Sequence, residues 1–550
     1  MAEESLAANA TGHYDPKWGW VESGRDRGTL DLLWSCCVTI ILCAWVATHP
    51  NAGSPKDKWF HAVLDKTSLA MIGLLGPDFL FGIAFGQFSS ARRSVKKFRT
   101  EKVPCNGATW TLTYAFFADM GGMLLTSPDF PDGFPVDANQ LHYLLKHEHI
   151  NFPDMKEMNI HERNTSDKLS RLITVWQALW FSVTEIVRIR NGLPMSTLEL
   201  TALSYVFVML ATQVCWWKKP SIVQPRFICT KDNKPVSEIR AYAKQETHPD
   251  LPSDPDDWYR TPLDFLNGPR FQIGTHWSYY IRLTHLLNLG ALASRPMKRR
   301  PWDRFPSDTW LPCERSWYIA TPAAFVLLAF SMWFALGWNF YFPTTIERDL
   351  WHAFSIYHAV FGLYGGVYYL IEMLKWHREQ NKSRERLGAS RQVSSSSMTG
   401  SASSSTAVMV HQEVVITVKE STTTTTTTTT TKPTIHAAIS INNADAESQT
   451  VIAPKRWRHL LPRHLVDLVD KAISILCRLD AFVEPARNIS RDQDPEMRLP
   501  LKVIIPVTVT CYLYVVCRTY FWVEDFLSLR VQPTGVYITV NRYMPFWGDG

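Results

Sequence analysis

A hydrocarbon core about 30 Å thick needs roughly 20 mostly apolar residues of helix, because every backbone polar group must be bonded within the segment. Runs of that kind recur along the chain. Residues 32–48 are continuously apolar, and 69–88 carry one charge, Asp78, directly after Pro77. Residues 172–187 and 200–217 read as a helical hairpin. Its turn is Asn191-Gly192-Leu193-Pro194, with Ser196 or Thr197 placed to cap the returning helix. Residues 317–342 and 350–371 contain no Asp, Glu, Lys or Arg, and 503–523 form a last candidate containing Pro506 and Arg518, whose long stem reaches toward the interface. The pattern predicts an all-α membrane protein, a polytopic bundle of about seven transmembrane helices.

The predicted organisation is a polar N-terminal segment (1–29), helices 1 and 2 (30–88), a loop (89–168), the hairpin of helices 3 and 4 (169–217), a loop (218–315), helices 5 and 6 (316–374), a basic and Ser/Thr-rich linker (375–463), an amphipathic helix (464–483), helix 7 (501–523) and a tail (524–550). The linker includes an unbroken Thr422–Thr431 run that has nothing to bury and is expected to be disordered. Leu465, Leu468, Val469, Ala472, Ile473 and Leu476 recur at helical spacing, as on a helix lying on a membrane or on the protein's own surface.

Charge sets the expected orientation. The loops 89–168, 218–315 and 375–500 hold 10, 16 and 17 Lys and Arg residues, which places them on the cytoplasmic side as helical loops. Seven crossings then put the N-terminus inside and the C-terminus outside. Asn9-Ala10-Thr11 is a glycosylation sequon usable only in the opposite arrangement.

Composition narrows the class. Of the 550 residues, 46% are hydrophobic, yet mean hydropathy is −0.12 because apolar blocks alternate with long polar loops. The ten cysteines show no CxxC spacing, and no P-loop, dinucleotide-binding glycine pattern, GxSxG, HExxH or kinase signature occurs. No catalytic motif, cofactor site or metal site is therefore expected. His142, His147, Glu148, His149, His161 and Glu162 cluster in sequence without a zinc spacing. Basic loops interleaved with aromatics adjoin the spans, so orientation accounts for them and no nucleic-acid partner is expected.

The candidate chemistry lies in the spans. A carboxylate inside hydrocarbon is costly unless it faces a cavity or a partner, so Asp78 is the first candidate for ion or proton handling; Gly82 and Gly86 beside it predict close helix packing. Glu185, Arg188 and Glu199 flank the hairpin turn, as a salt-bridged clasp or a charged vestibule. His358 is the candidate histidine of helix 6. His352, six residues earlier, falls on another face of a helix with 3.6 residues per turn.

Several separated motifs carry a resemblance. They are Trp34-Ser35-Cys36 with Thr39, Cys43, Trp45, His49 and Asn51; Met120-Gly121-Gly122; Gln140-Leu141-His142-Tyr143; Gln177 with Trp180; Gly192-Leu193-Pro194 with Glu199; Trp216-Trp217-Lys218-Lys219-Pro220; Phe342-Pro343-Thr344 with Glu347 and Trp351; and Leu529-Arg530. In these the chain resembles a group of fungal multi-pass integral membrane proteins of unknown function. The resemblance implies a multi-pass helical fold and carries over no site residue. Asp78 stands where the group would have Glu after the proline, and His352 where a base such as Arg follows the tryptophan.

Two functions fit this reading. One is a transporter- or channel-like protein in which buried charge lines a polar route. The other is a membrane receptor or scaffold whose linker recruits cytoplasmic protein partners. A lipid-modifying enzyme is a third expectation and needs polar groups converging at one depth. The lipid bilayer is the one partner common to all; which membrane is left open.

Overall fold

The computed structural model describes residues 16–370, except 25, 104, 106–108, 153–164, 221–223, 268–271, 298, 312–315 and several positions in 247–255, and then 374, 494, 497 and 501–539. The Ser/Thr-rich linker, the amphipathic helix and the Asn9 sequon lie outside the described residues. Twelve helices are named here: α1 (Thr29–Ala47), α2 (Trp59–Leu75), α3 (Pro77–Glu101), α4 (Leu112–Asp119), α5 (Ala138–Lys146), α6 (Thr165–Arg190), α7 (Thr197–Trp216), α8 (Val236–Glu246), α9 (Gln272–Leu286), α10 (Trp317–Trp333), α11 (345–370) and α12 (Leu501–Leu527). Among the described residues, five stretches are helical, long and apolar enough to cross a membrane: Thr29–Ala47, Leu169–Arg190, Thr197–Trp216, Trp317–Asn339 and Ile504–Arg530.

The central helix is α7. Its apolar window is 72% buried against 33% or less for the other four, so its neighbours wrap it and turn their outer faces, such as Trp34, Trp176 and Val509, outward. Ser196 caps it by accepting from the Glu199 N–H while Glu199 accepts from the Ser196 N–H at 2.8 Å, a reciprocal capping box.

Helices α1 and α7 run parallel. At their starts Arg27 reaches Glu199, and at their ends the Gln213 amide donates to the Val46 carbonyl at 2.7 Å. Just beyond, the Lys219 ammonium donates to the His49 carbonyl (2.6 Å), Asn51 Oδ1 (3.0 Å) and Gln87 Oε1 (2.8 Å), with Trp216 beneath it. Lys218 and Lys219 both count among the 16 bases of the 218–315 loop, but they differ in place. Lys218 is exposed, whereas Lys219 is a buried lock joining three segments.

The stretch 69–88 is not one helix. Pro77 has no N–H to donate and disfavours helical geometry in the residue before it, so Gly76 leaves the helix at φ −146°, ψ 87°. From that break the chain turns back. Lys66 in α2 lies over Trp45 at the far end of α1, Leu74 meets Tyr205 midway along α7, and Gln87 in α3 has returned to Trp216 at the far end of α7. Thus α2 rises to the middle of the bundle and α3 descends from it. A side chain at Gly76 would meet the Phe79 ring at 2.5 Å, so the ring would have to move aside.

The bundle has two ends. One gathers the basic loops: Asn51 donates to Pro306, Arg295 forks onto Asp57 and Asp65 at 2.7 and 2.6 Å, and Arg282 pairs with Asp494. A small sheet sits here, of order β3-β2-β4 (Phe134–Pro135, Met123–Thr126, Arg226–Cys229), with β2 antiparallel to β3 and parallel to β4. Only helical loops were expected. The opposite end holds β1 (Pro16–Trp18), antiparallel to β5 (Val531–Pro533), beside the α6–α7 turn. The N-terminal and C-terminal segments therefore meet at the same end, where an odd number of crossings would separate them.

Candidate functional site

The five sequence-derived candidates form two separate constellations. Near the middle of the bundle, the α2–α3 break puts Asp78 in the first turn of α3, where Tyr514 donates to Asp78 Oδ1 at 2.6 Å. His358 of α11 lies against the Tyr514 ring, centroids 5.7 Å apart, and its Nδ1 faces the Ser331 carbonyl at 2.9 Å. Arg518, one turn beyond Tyr514, donates through Nε to the Leu75 carbonyl freed by the break (3.0 Å) and through Nη2 to the Tyr205 hydroxyl (2.9 Å). Tyr205 in turn donates to the Leu74 carbonyl.

Arg518 does not reach the interface as its position near the end of a candidate span implied. It is fully buried, with its guanidinium 5.2–5.6 Å from the centroids of Tyr205, Phe330 and Phe334. A guanidinium over aromatic faces keeps its charge away from water, and the peptide carbonyls at the break supply the rest of its solvation. Among the described residues, His358 Nε2 and Arg518 Nη1 are buried with no hydrogen-bond partner, so the network keeps unused donor or acceptor capacity. Tyr205 (α7), Tyr514 (α12) and His358 (α11) each lie near the middle of their helices, at one depth.

The second constellation closes the end where the termini meet. Arg27 Nη2 donates to Glu199 Oε1 at 2.5 Å and lies 4.0 Å from Glu185; Arg188 Nε lies 3.6 Å from Glu185 and 3.9 Å from Glu199. Arg188 also donates to the carbonyls of Pro194 (3.0 Å), Val536 (3.0 Å) and Ile538 (2.7 Å), and Arg27 Nε donates to Val536 (2.7 Å). Glu185, Arg188 and Glu199 are at most 1% exposed. Burial opposes the Arg27 charge, but Glu199 and then Glu185 hold its pKa above the usual guanidinium value. The arrangement ties the N-terminal segment, the hairpin turn and the C-terminal tail into one joint.

Sequence reasoning missed Arg27, Tyr205 and Tyr514. Arg27 sits among loop charges, and the tyrosines are indistinguishable in sequence from apolar packing residues.

His142 and His352 each pack against an aromatic ring. His142 stands edge-on to Phe98, and burial, then Lys97, brings its pKa down to about 4. His352 stacks on Trp338 with centroids 3.8 Å apart, away from His358. Among the described residues, no group of three His, Cys, Asp or Glu side chains is placed to hold a metal ion.

No curated protein and no solved structure matches the chain. Residues 5–242 match the model of a family described as "Family of unknown function (DUF8562)", a stretch that contains Asp78 and the Arg27/Glu185/Arg188/Glu199 joint and ends before His358, Tyr514 and Arg518.

Proposed function

We propose that this chain is a transporter-like integral membrane protein with six crossings, α1, α6, α7, α10, α11 and α12, and a re-entrant pair, α2–α3, whose tip at Asp78 binds a proton or small cation during transport. The observation that carries this reading is the helix break at Gly76–Pro77 in the middle of the bundle, facing Asp78, Tyr514, His358 and Arg518. Irregular backbone and ionisable groups at mid-depth are costly in lipid, and they persist where they line a route or bind a substrate.

Proteoliposomes loaded with a pH-sensitive dye test it. Asp78→Asn, which keeps the Tyr514 hydrogen bond and removes the titratable charge, is expected to lower proton-coupled flux at least tenfold while the protein stays monodisperse. Equal flux in the variant would remove Asp78 from the mechanism, and no flux for any ion in a cation panel would sink the transporter reading.

Six crossings give a definite topology. With the basic loops cytoplasmic, both termini, the α6–α7 turn and the α10–α11 connection face outside or the lumen, an arrangement supported by the β1–β5 pairing and the Arg530–Glu347 ion pair. The Asn9 sequon is then expected to be glycosylated in a eukaryotic membrane, while those at Asn164, Asn381 and Asn488 stay bare. Glycosidase digestion of single-sequon variants reads this out. Sugar at Asn381 with none at Asn9 would invert the topology.

A further inference from the structure

Helices α7 and α12 meet along a polar seam. Tyr205, Thr201 and Thr197 recur every four residues, on one face of α7. Opposite them on α12 come Arg518, which donates to the Tyr205 hydroxyl at 2.9 Å, then Asp525, which faces the Thr201 and Thr197 hydroxyls, then Ser528, whose Oγ lies 2.9 Å from Thr197 Oγ1. From Tyr514, which holds Asp78, to Ser528 the seam runs about 21 Å at 1.5 Å per residue, from mid-depth to the end where the termini meet.

The far half of the seam is short of donors. Asp525 is 0% exposed, yet among the described residues neither of its carboxylate oxygens accepts a hydrogen bond, and Thr201 Oγ1 is buried without a partner as well. Arg518 lies seven residues back along α12, about 10 Å, and spends Nε and Nη2 on the Leu75 carbonyl and Tyr205; its Nη1 bonds to nothing described, so it does not reach Asp525. The adjacent Glu524 has its own company in Tyr520, Glu347 and Arg530.

Buried polar atoms are normally paired, and three unpaired oxygens at one spot call for a group from outside the chain. A proton on Asp525 would serve one carboxylate oxygen and leave the other. The free valences all belong to oxygen, which suits a hard cation. One carboxylate balances one charge, and among the described residues no three His, Cys, Asp or Glu side chains gather to hold a metal ion, so the site is matched to a monovalent ion. Because α12 ends at Leu527, the carbonyls of its last turn add partial negative charge beside Asp525.

We propose that Asp525, Thr201 and Thr197 bind an alkali cation, stripped of its water, between α7 and α12 at the end of the seam nearest the termini. This site is separate from the Asp78 network and stands whether or not Asp78 carries a coupled ion.

Thermal denaturation of the full chain in detergent, in sodium chloride against choline chloride of equal ionic strength, tests it. Sodium is expected to raise the midpoint by about 5 °C, and the rise is expected to grow with sodium concentration, as binding to the folded state requires. Asp525→Asn is expected to abolish the rise. Thr201→Val, which keeps the side chain's shape and removes one oxygen, is expected to raise the sodium concentration needed at least fivefold, and it carries the test if Asp525→Asn misfolds. Asp78→Asn is expected to keep the full response, which reads this site apart from the proposed transport site. Equal midpoints in the two salts, with stability following pH alone, would make Asp525 a protonated packing group and overturn the proposal. So would a sodium response unmoved by Thr201→Val, or one that survives Asp525→Asn and disappears in Asp78→Asn.

Discussion

Arg188→Met is expected to unfold the end of the molecule where the termini meet, with a loss on the order of 3–5 kcal/mol, the range for removing one partner of a buried ion pair. Two effects act in the same direction. Glu185 loses its nearest cation and Glu199 keeps Arg27 alone, while the carbonyls of Pro194 and Ile538 lose a donor and Val536 keeps only Arg27. The removed guanidinium also returns its own desolvation cost, but that gain is smaller than the cost of a stranded carboxylate plus orphaned acceptors. Thermal denaturation in detergent reads the loss. The variant Arg188→Met/Glu185→Met, which takes away the stranded charge as well, is expected to recover about half of it. A single variant as stable as the wild type would show that Arg27 alone suffices to hold the joint.

How much of this was legible in the sequence depends on the range of each interaction. The apolar stretches of α1, α6, α7 and α10 were readable because burial in lipid demands a local run of apolar residues. The α6–α7 hairpin was readable because Gly192-Leu193-Pro194 and Ser196 are local turn and cap signals. Pro77 was readable as a disturbance. That it reverses the chain was not, because reversal is decided by Tyr205 and Arg518, which lie 128 and 441 positions further along and bind the freed Leu74 and Leu75 carbonyls. The same limit hid the site. Asp78 and His358 stand out as ionisable groups in apolar runs, but the Tyr514 that joins them is invisible until α12 is packed beside α3 and α11. Arg27 carried no signal for the related reason that a charge just outside a span normally faces water, whereas here the C-terminal segment covers it.

Gly86→Val is expected to detach the connecting segment at Trp310 and Leu311 from α3 and to destabilise the basic end by on the order of 3 kcal/mol, the upper part of the range for overpacking a well-packed site. The spacing of Gly82 and Gly86 predicts a close approach, and the approach is there, but the partner is an irregular strand of loop in place of a second helix. A Cβ on Gly86 would stand 2.5 Å from the Leu311 carbonyl oxygen, and one on Gly82 would run into the Trp310 ring. Trp310 is a side chain and can swing aside, so Gly82→Ala should cost less than Gly86→Ala, which confronts backbone. The segment is held by what surrounds it: Trp277 donates to the Asp308 carbonyl at 2.6 Å, Asp308 accepts from Ser294, and Ser307 and Pro306 accept from Asn51. Displacing Leu311 therefore pulls on α9 and on the loop after α1 together. Limited proteolysis is the direct measurement. Cleavage between Arg299 and Arg315 should appear in Gly86→Val at protease levels that leave the wild type intact. Flux through the Asp78 network should fall less than it does in Asp78→Asn, because the break at Gly76 lies ten residues, close to three helical turns, above the clash. Resistance to cleavage equal to that of the wild type would mean that α3 can shift sideways as a rigid rod, and the tight packing at Gly86 would then have no part in fixing the α2–α3 pair.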